Sequence, residues 1–201
     1  LDPAQLPERI GSIGKAIPNV ELRVLKEDGS EAATGEVGEI VARGSNIMSG
    51  YWNDPEETAR VLGPEGYHTG DLARRDEDGF LFVVGRKKDM IKTGAHRISA
   101  KEIEEAILEH SGVHETAVIG EPDEMLGELV CAYVVFQDHA GDQRDALLGF
   151  LKKRLPAYKV PGRILQLDEL PKNESGKIMK QALRTAAEAR VGSGPPPEER
   201  P

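Results

Sequence analysis

The segment Tyr67–Glu105, YHTGDLARRDEDGFLFVVGRKKDMIKTGAHRISAKEIEE, decides how the chain is organised. It contains a short apolar strand, Gly79–Gly85, that is bounded by glycine at both ends. Four consecutive charged residues, Arg86–Asp89, then interrupt the apolar pattern before Met90 and Ile91 resume it. Because four adjacent charges between two apolar strands cannot all be buried, the chain must reach the surface there. The segment therefore predicts a boundary between two folded parts.

Before this boundary, the sequence predicts a part rich in β-strands. Val20–Leu25 alternates apolar and polar residues and precedes an Asp-Gly turn pair, and Gly38–Gly44 is the next predicted strand. Asp54 predicts the start of a short helix over Pro55–Val61, because aspartate is a favoured N-cap and proline a favoured first helical residue.

After the boundary, helices and strands alternate, which indicates a small α/β domain. Ser99 and Glu102 have the spacing of a capping box, and Ile98 and Ile103 stand at the positions of a hydrophobic staple. Strands are predicted over 114–120, 128–136 and 163–167, and helices over 99–110, 145–155 and 178–190. The Gly- and Pro-rich residues 191–201 predict a disordered tail.

Composition and charge limit the classes of partner. The 201 residues are 38% hydrophobic and 30% charged, which is ordinary for one or two globular domains. A net charge of −9 argues against nucleic acid or an anionic membrane surface as the main partner. No apolar run approaches the roughly 18 residues of a membrane span. The single cysteine, Cys131, lies in an apolar run and can form no internal disulfide, so we expect a packing role and a reducing, cytoplasmic compartment.

Lys177 is the first candidate for chemistry. It follows a polar loop and directly precedes a predicted helix, where an ammonium group could reach an anion formed elsewhere. The pair Gly176-Lys177 does not form a phosphate loop, because that motif needs an earlier glycine and a Ser or Thr after the lysine, and Ile178 follows here. Taken alone, Lys177 is explained more simply as a solvated surface lysine.

Asp71 is the second candidate. Its carboxylate is predicted to lie directly after a glycine turn at Gly70 and could accept two hydrogen bonds from a sugar diol, as acidic residues do with ribose in dinucleotide sites. The simpler alternative is a turn aspartate that binds its own backbone. Arg86 and Lys88 have a similar alternative as members of a solvated charged run.

Five segments occur in an order that resembles the adenylate-forming superfamily, which includes acyl-CoA synthetases, peptide-synthetase adenylation domains and luciferases. They are GEIVARGSNIMSGYW (38–52), YHTGDL (67–72), GRKKDMIKTGAHRISAKEIEE (85–105), LPAYKVP (155–161) and LPKNESGKI (170–178). The resemblance covers about residues 8–185. It is strongest to AMP-forming acyl-CoA ligases, because PDEMLGE (122–128) is similar to a loop of acyl-CoA synthetases.

The resemblance implies an α+β fold in two parts. Residues 1–87 would be the β-rich end of a large N-terminal domain, a distorted barrel subdomain. Residues 88–190 would be a small, mobile C-terminal lid domain with a mixed sheet, and Lys88 would be the hinge between the two.

The resemblance also implies roles for individual residues. Asp71 would hold the ribose hydroxyls of ATP and of the acyl-adenylate, and Arg86 would contact the nucleotide. Arg97 falls where some members place a second arginine that contacts phosphate. Lys177 would bridge the substrate carboxylate and the α-phosphate.

The implied reaction has two steps and uses ATP, Mg²⁺ and CoA. A small carboxylic acid attacks the α-phosphorus of Mg-ATP and gives acyl-AMP and pyrophosphate. Rotation about Lys88 then withdraws Lys177, and the CoA thiol attacks the acyl carbonyl and releases AMP. Gly94 and Ala95 would line the channel for the thiol and its pantetheine arm. The resemblance assigns no metal ligand in this chain.

Two departures from the family pattern qualify these expectations. Ala95 stands where the family usually has glycine, which leaves thioester formation less secure than adenylation. The Ser/Thr/Gly-rich phosphate loop and the Tyr-Gly-x-Thr-Glu segment do not occur in the sequence, which opens at Leu1 rather than methionine. We therefore expect a fragment or processed product that is inactive alone and depends on a missing N-terminal region of the same enzyme.

Two other functions stay open at this point. One is an adenylating enzyme that passes its acyl group to a carrier protein or an amine instead of CoA. The other is a non-catalytic module that binds AMP or a protein partner.

Overall fold

The computed structural model describes residues 9–137 and 143–192. Within these ranges the chain divides into two compact units, of which the first ends at Lys88 and the second begins at Asp89. Among these residues each unit has its own five-stranded sheet, with one hydrophobic core in the first unit and two in the second. The predicted fold class, α+β, is confirmed. No helix in the two described ranges is long and apolar enough to cross a membrane.

Over residues 9–88 the first unit is an antiparallel sheet with one short α-helix. Its elements are β1 (Val20–Leu25), β2 (Val37–Gly44), α1 (Pro55–Val61), β3 (Leu62–Gly63), β4 (Gly66–Arg75) and β5 (Leu81–Arg86). In this sheet β4 pairs with β2, β3 and β5, and β1 pairs with β2. Because side chains alternate between the two faces of a strand, one face supplies a core. That core contains Val24, Ile40, Ala73 and Leu81.

Helix α1 begins as predicted. The Asp54 side chain accepts a hydrogen bond from the backbone N–H of Glu57 at 2.9 Å, and Pro55 is the first helical residue. Both features satisfy the helix start locally, which explains why the sequence alone located it.

The position of Asp71 differs from the prediction, which placed it directly after a glycine turn. Asp71 lies inside β4, where a bulge interrupts the pairing with β2. His68–Leu72 spans the stretch that Glu39–Val41 spans on β2. Gly70, with a φ of +73°, supplies the left-handed conformation that such a bulge requires. The glycine therefore shifts the register of the strand instead of ending it.

The second unit is a mixed sheet covered by helices on both faces. Its strands are β6 (Met90–Thr93), β7 (His96–Ser99), β8 (Val113–Asp123), β9 (Gly127–Phe136) and β10 (Arg163–Gln166), and its helices are α2 (Ala100–Leu108), α3 (Arg144–Leu151) and α4 (Lys180–Gly192). Strand β9 pairs antiparallel with β8 and β6 and parallel with β10. Along β8, Val118 faces the core under α2 and α3, whereas Ala117 and Ile119 face the core under α4.

Several predicted element bounds are wrong. Helix α3 ends at Leu151, four residues before the predicted end, and the turn over 152–155 leads to Pro156, which disfavours helical backbone before it. Helix α4 starts at Lys180 because Ile178 forms a β-bridge with Lys172. Its last two residues, 191 and 192, were predicted to belong to a disordered tail. The rest of that predicted tail, 193–201, lies outside the described residues.

Ser99 caps helix α2, as the sequence predicts. Its hydroxyl accepts a hydrogen bond from the backbone N–H of Glu102 at 3.4 Å, and the flanking Ile98 and Ile103 are fully buried. Ser99→Ala is expected to lower the free energy of unfolding by about 1 kcal/mol, because a helix N–H loses its partner. Chemical denaturation of the 201-residue chain measures this difference. As a control, Ser111→Ala changes an exposed serine beyond the helix and should shift stability by less than about 0.5 kcal/mol. Equal losses in the two variants would contradict the capping role.

Candidate functional site

Asp71 and Arg86 form an ion pair at the surface of the first unit. The pairing of β4 with β5 places the two residues opposite each other, and Nε of Arg86 lies 2.6 Å from Oδ1 of Asp71. Their side chains are 28% and 49% exposed, so a solute can reach both groups. An ion pair this exposed contributes only about 0–1 kcal/mol to stability. The pair therefore presents an acceptor and a guanidinium group side by side to solvent.

The backbone at Asp71 is held by neighbouring side chains. The amide of Asp71 donates to Oγ1 of Thr69 at 3.1 Å, and the Thr69 hydroxyl donates to the carbonyl oxygen of Ile40 at 2.8 Å. The amide of Gly70 donates to Oε1 of Glu39 at 3.1 Å. The bulge that carries Asp71 is thus fastened to β2 by two side chains.

Glu39 is a buried carboxylate that the sequence analysis did not single out. Burial acts to raise the pKa of its carboxyl, but hydrogen bonds from Lys87 and His68, the charge of Lys87 and the Gly70 amide together hold the pKa below its ordinary value. Glu39 is therefore ionised at neutral pH. The available signal was one acidic residue inside the apolar run of β2, which predicts a buried charge with specific partners.

In the second unit, Lys177 lies in a closed turn with its side chain exposed. Asn173 holds this turn at three points: its amide donates to the carbonyl of Lys177 at 2.9 Å, its carbonyl accepts from Gly176 at 2.9 Å, and its Oδ1 accepts from the Lys177 amide at 2.8 Å. Gly176 has a φ of +79°, which the turn requires. The predicted loop is therefore a hydrogen-bonded turn, and Asn173 is a further residue that sequence reasoning missed.

The strands β6 and β7 form a hairpin whose exposed turn contains Gly94 and Ala95. Gly94 has a φ of +55°, and its amide donates to the carbonyl of Leu126 at 2.8 Å. Arg97 lies on β7, exposed, opposite Lys92. The turn is thus fastened to the neighbouring loop and presents its small residues to solvent.

An aromatic stack next to this hairpin was not anticipated. The ring of His96 stacks on that of Tyr158 with centroids 4.2 Å apart and planes 15° from parallel. Tyr158 belongs to the LPAYKVP segment that contributed to the resemblance, but a stack between residues so far apart in sequence has no local signal.

Lys88 lies between two anchored neighbours in a 3-10 turn over Lys87–Asp89. In the first unit, Nζ of Lys87 is 2.9 Å from Oε2 of Glu39. In the second unit, Oδ1 of Asp89 is 2.8 Å from Nη2 of Arg184. The residue on each side of Lys88 is therefore tied into its own unit.

Two family models match the chain. The model described as "AMP-binding enzyme" matches residues 1–52, and the model described as "AMP-binding enzyme C-terminal domain" matches residues 102–177. The chain belongs to the adenylate-forming superfamily.

Members of this superfamily resemble the chain along most of its length. A long-chain-fatty-acid–CoA ligase of Salmonella typhimurium is 40% identical over 191 residues, which are 95% of the chain and 34% of that protein. The solved structure of o-succinylbenzoate CoA synthetase from Bacillus subtilis, in complex with its acyl-adenylate intermediate, has a TM-score of 0.83 and 34% identity over 92% of the chain and 37% of that protein. The amide bond synthetase McbA from Marinactinospora thermotolerans has a TM-score of 0.78 and 36% identity over 89% of the chain and 37% of that protein.

The chain therefore spans only about a third of the length of these relatives, for example 34% of the Salmonella typhimurium ligase. The reaction that the sequence resemblance implies uses Mg²⁺. Between residues 9 and 137 and between 143 and 192, no group of three or more His, Cys, Asp or Glu side chains could hold a metal ion. These residues therefore do not fit a protein-bound metal.

Cys131 is buried as predicted, and burial raises the pKa of its thiol far above the ordinary value.

Proposed function

We propose that the chain forms part of an AMP-forming acid–CoA ligase. Such an enzyme joins a carboxylic acid to AMP with release of pyrophosphate, and then transfers the acyl group to CoA with release of AMP. The observation that carries this proposal is the 40% identity to a named CoA ligase over 95% of the chain, which includes both units. A cytoplasmic location, expected from the cysteine content, stays a prediction.

In the first unit, the proposed role of Asp71 is to bind the ribose of the nucleotide. A carboxylate can accept hydrogen bonds from both hydroxyls of a vicinal diol, and the exposure of Asp71 leaves it open to such a ligand. The paired Arg86 keeps a positive charge beside the same ligand, which suits the negative charge of the nucleotide. Arg97, in the second unit, is proposed as a further phosphate contact.

In the second unit, Lys177 is proposed to stabilise the charge that develops during adenylation. The attacking carboxylate and the α-phosphate are both anionic, so a cation between them reduces their repulsion and stabilises the transition state. The turn closed by Asn173 fixes the Lys177 backbone and leaves the ammonium group exposed. ATP is expected to bring Mg²⁺ with it, and no step is assigned to a metal held by this chain.

Lys88 is proposed as the hinge between the two steps. The bonds Lys87–Glu39 and Asp89–Arg184 each stay within one unit, so a change in the backbone torsions of Lys88 would break neither. The exposed Gly94 and Ala95 are proposed to line the path of the acceptor thiol.

A second candidate function is acyl transfer to an amine or a carrier protein. The structural likeness to an amide bond synthetase at 36% identity favours it, and Ala95, where the family usually has glycine, is compatible with an altered acceptor path.

The two functions are separated by assays of the full-length natural protein that contains this sequence. Pyrophosphate exchange into ATP that depends on an added carboxylic acid is expected from both. AMP release that depends on CoA is expected only from the ligase. Exchange without CoA-dependent release would contradict the ligase and favour the second candidate, and no exchange with fatty, aryl or dicarboxylic acids would contradict adenylation itself.

Asp71→Asn tests the nucleotide role. An amide offers one neutral acceptor oxygen in place of a carboxylate, so we expect the KM for ATP to rise about tenfold. Initial rates of pyrophosphate exchange at varied ATP measure this change. Asp78→Asn is the matched control, because Asp78 is also an exposed aspartate paired with an arginine in the first unit. A KM equal to that of the control would contradict ribose binding by Asp71.

A further inference from the structure

Glu39 is a charged residue in a buried position on strand β2 of the first unit. Its side chain is only 10% exposed on β2, next to the buried Ile40 and Val41. A carboxylate in such a place is costly unless it is paired and hydrogen-bonded, and a buried ion pair is often no more stabilising than apolar residues of similar volume. Stability of the sheet therefore does not by itself account for an ionised carboxylate here.

Two partners of Glu39 are the chain neighbours of Asp71 and Arg86, and both lie on the same side of that pair because β4 and β5 are antiparallel. Oε1 accepts from the amide of Gly70, the residue before Asp71, at 3.1 Å. Oε2 accepts from Nζ of Lys87, the residue after Arg86, at 2.9 Å. One side chain thus contacts Gly70 in β4, next to Asp71, and Lys87 directly after the end of β5, next to Arg86.

The third contact completes this arrangement. Nδ1 of His68 lies 3.2 Å from Oε2 of Glu39, so the bulge is held at His68 as well as at Gly70. A bulge leaves part of the backbone outside the regular ladder, so its shape depends on such side-chain contacts. Two side chains join the backbone around Asp71 to β2, those of Glu39 and Thr69. Without Glu39, only the Thr69 contacts would remain of these.

We infer that Glu39 is a positioning residue for the nucleotide site: it holds Gly70 and Lys87 so that Asp71 and Arg86 present one fixed geometry to the ribose and phosphates. This inference rests on the proposed function, because it assumes that Asp71 and Arg86 meet a nucleotide. Glu39 itself touches neither substrate nor reacting atoms in this scheme.

Glu39→Gln in the full-length natural protein tests the inference. Glutamine keeps the length of the side chain and one acceptor oxygen, but it cannot hold the charge of Lys87. We expect the KM for ATP in pyrophosphate exchange to rise about fivefold to tenfold, while the rate of the CoA step from supplied acyl-adenylate stays within about twofold. A merely structural role would lower stability without this selective change in KM.

Glu31→Gln is the matched control. Glu31 is a carboxylate of the same unit that pairs with Arg75 at 2.7 Å, away from the bulge, so its KM for ATP should not change. If Glu39→Gln does not fold, Lys87→Met removes one partner while leaving the carboxylate in place, and the KM should then rise about threefold.

A second readout uses the 201-residue chain without any activity. Hydrogen exchange of the amides of Gly70 and Asp71 should become at least about tenfold faster in Glu39→Gln than in Glu31→Gln. Unchanged exchange, or faster exchange with an unchanged KM for ATP, would overturn the inference. If Asp71→Asn itself leaves that KM unchanged, the proposed function of the site fails, whatever Glu39 does.

Discussion

Lys177→Ala in the full-length natural protein is expected to slow adenylation by about 10²–10³-fold while leaving the CoA step nearly unchanged. One unit charge at about 4 Å, with an effective dielectric near 20, is worth about 4 kcal/mol, which corresponds to almost 10³ in rate. Solvent screens the interaction energy of an exposed side chain, so we expect an effect near the lower end of this range. The CoA step from supplied acyl-adenylate should stay within about threefold, because its developing charge lies on the acyl carbonyl and not on a phosphate under attack.

The turn around Lys177 makes this substitution clean. The hydrogen bonds that close it use the backbone groups of Asn173, Gly176 and Lys177 and the side-chain Oδ1 of Asn173, and none of these bonds involves the lysine side chain. Alanine should therefore remove the ammonium group and keep the turn. Amide exchange at Gly176 and Lys177 in the 201-residue chain checks that the turn persists.

Lys172→Ala is the control for this experiment. Lys172 lies in the same loop and pairs with Glu115 at 2.6 Å. Its replacement by alanine removes a lysine side chain from this loop but leaves Lys177 in place. Adenylation in this variant should stay within about threefold of wild type. An equal loss of both steps in Lys177→Ala would point to a general defect, and no loss of adenylation would refute the assigned role.

The sequence predicted those features of the fold that depend on neighbours along the chain. Asp54 with Pro55, and Ser99 with Glu102, satisfy the first turn of a helix within a few residues, and the structure has both helix starts. The buried run that forms β9 was predicted because both of its faces are covered, which makes it almost continuously apolar.

Features that depend on strand register could not be predicted in the same way. The bulge at Gly70 exists only in the pairing of β4 with β2, and Asp71 meets Arg86 only because β4 pairs with β5. The resemblance carried by the ordered motifs predicted Asp71 and Arg86 as two separate nucleotide contacts. Their ion pair, and the buried Glu39 beside it, required the three-dimensional structure.

The candidate site shows the same division between local and distant information. Lys177 was singled out from the LPKNESGKI segment, but the role of Asn173 in closing the turn came from bond geometry. The start of α4 at Lys180 has the same origin, since the bridge between Lys172 and Ile178 takes residues that helical periodicity alone would assign to the helix.

Lys88→Pro in the full-length natural protein is expected to slow one of the two steps by about 10²-fold and to leave the other within about threefold. Proline fixes φ near −65° and lacks an N–H, so a residue that must adopt two backbone conformations loses one of them. The observed 3-10 turn over Lys87–Asp89 belongs to a class of turn with φ between about −50° and −70°, which proline can adopt. Separate assays of pyrophosphate exchange and of CoA-dependent AMP release from supplied acyl-adenylate measure the two steps.

Two comparisons decide whether Lys88 acts as a hinge. Lys88→Ala removes the same ammonium group but keeps the N–H and free rotation about φ, so both steps should stay within about threefold. If Lys88→Pro slows both steps equally while Lys88→Ala slows neither, the proline has damaged a single required conformation and rotation at this residue is refuted. Selective loss of one step, with an unchanged melting temperature, is the result that requires two conformations. If both steps used the same conformation, fixing φ would affect both of them. The bonds of Lys87 to Glu39 and of Asp89 to Arg184 limit the change to the residue between them, since each neighbour is already committed to its own unit.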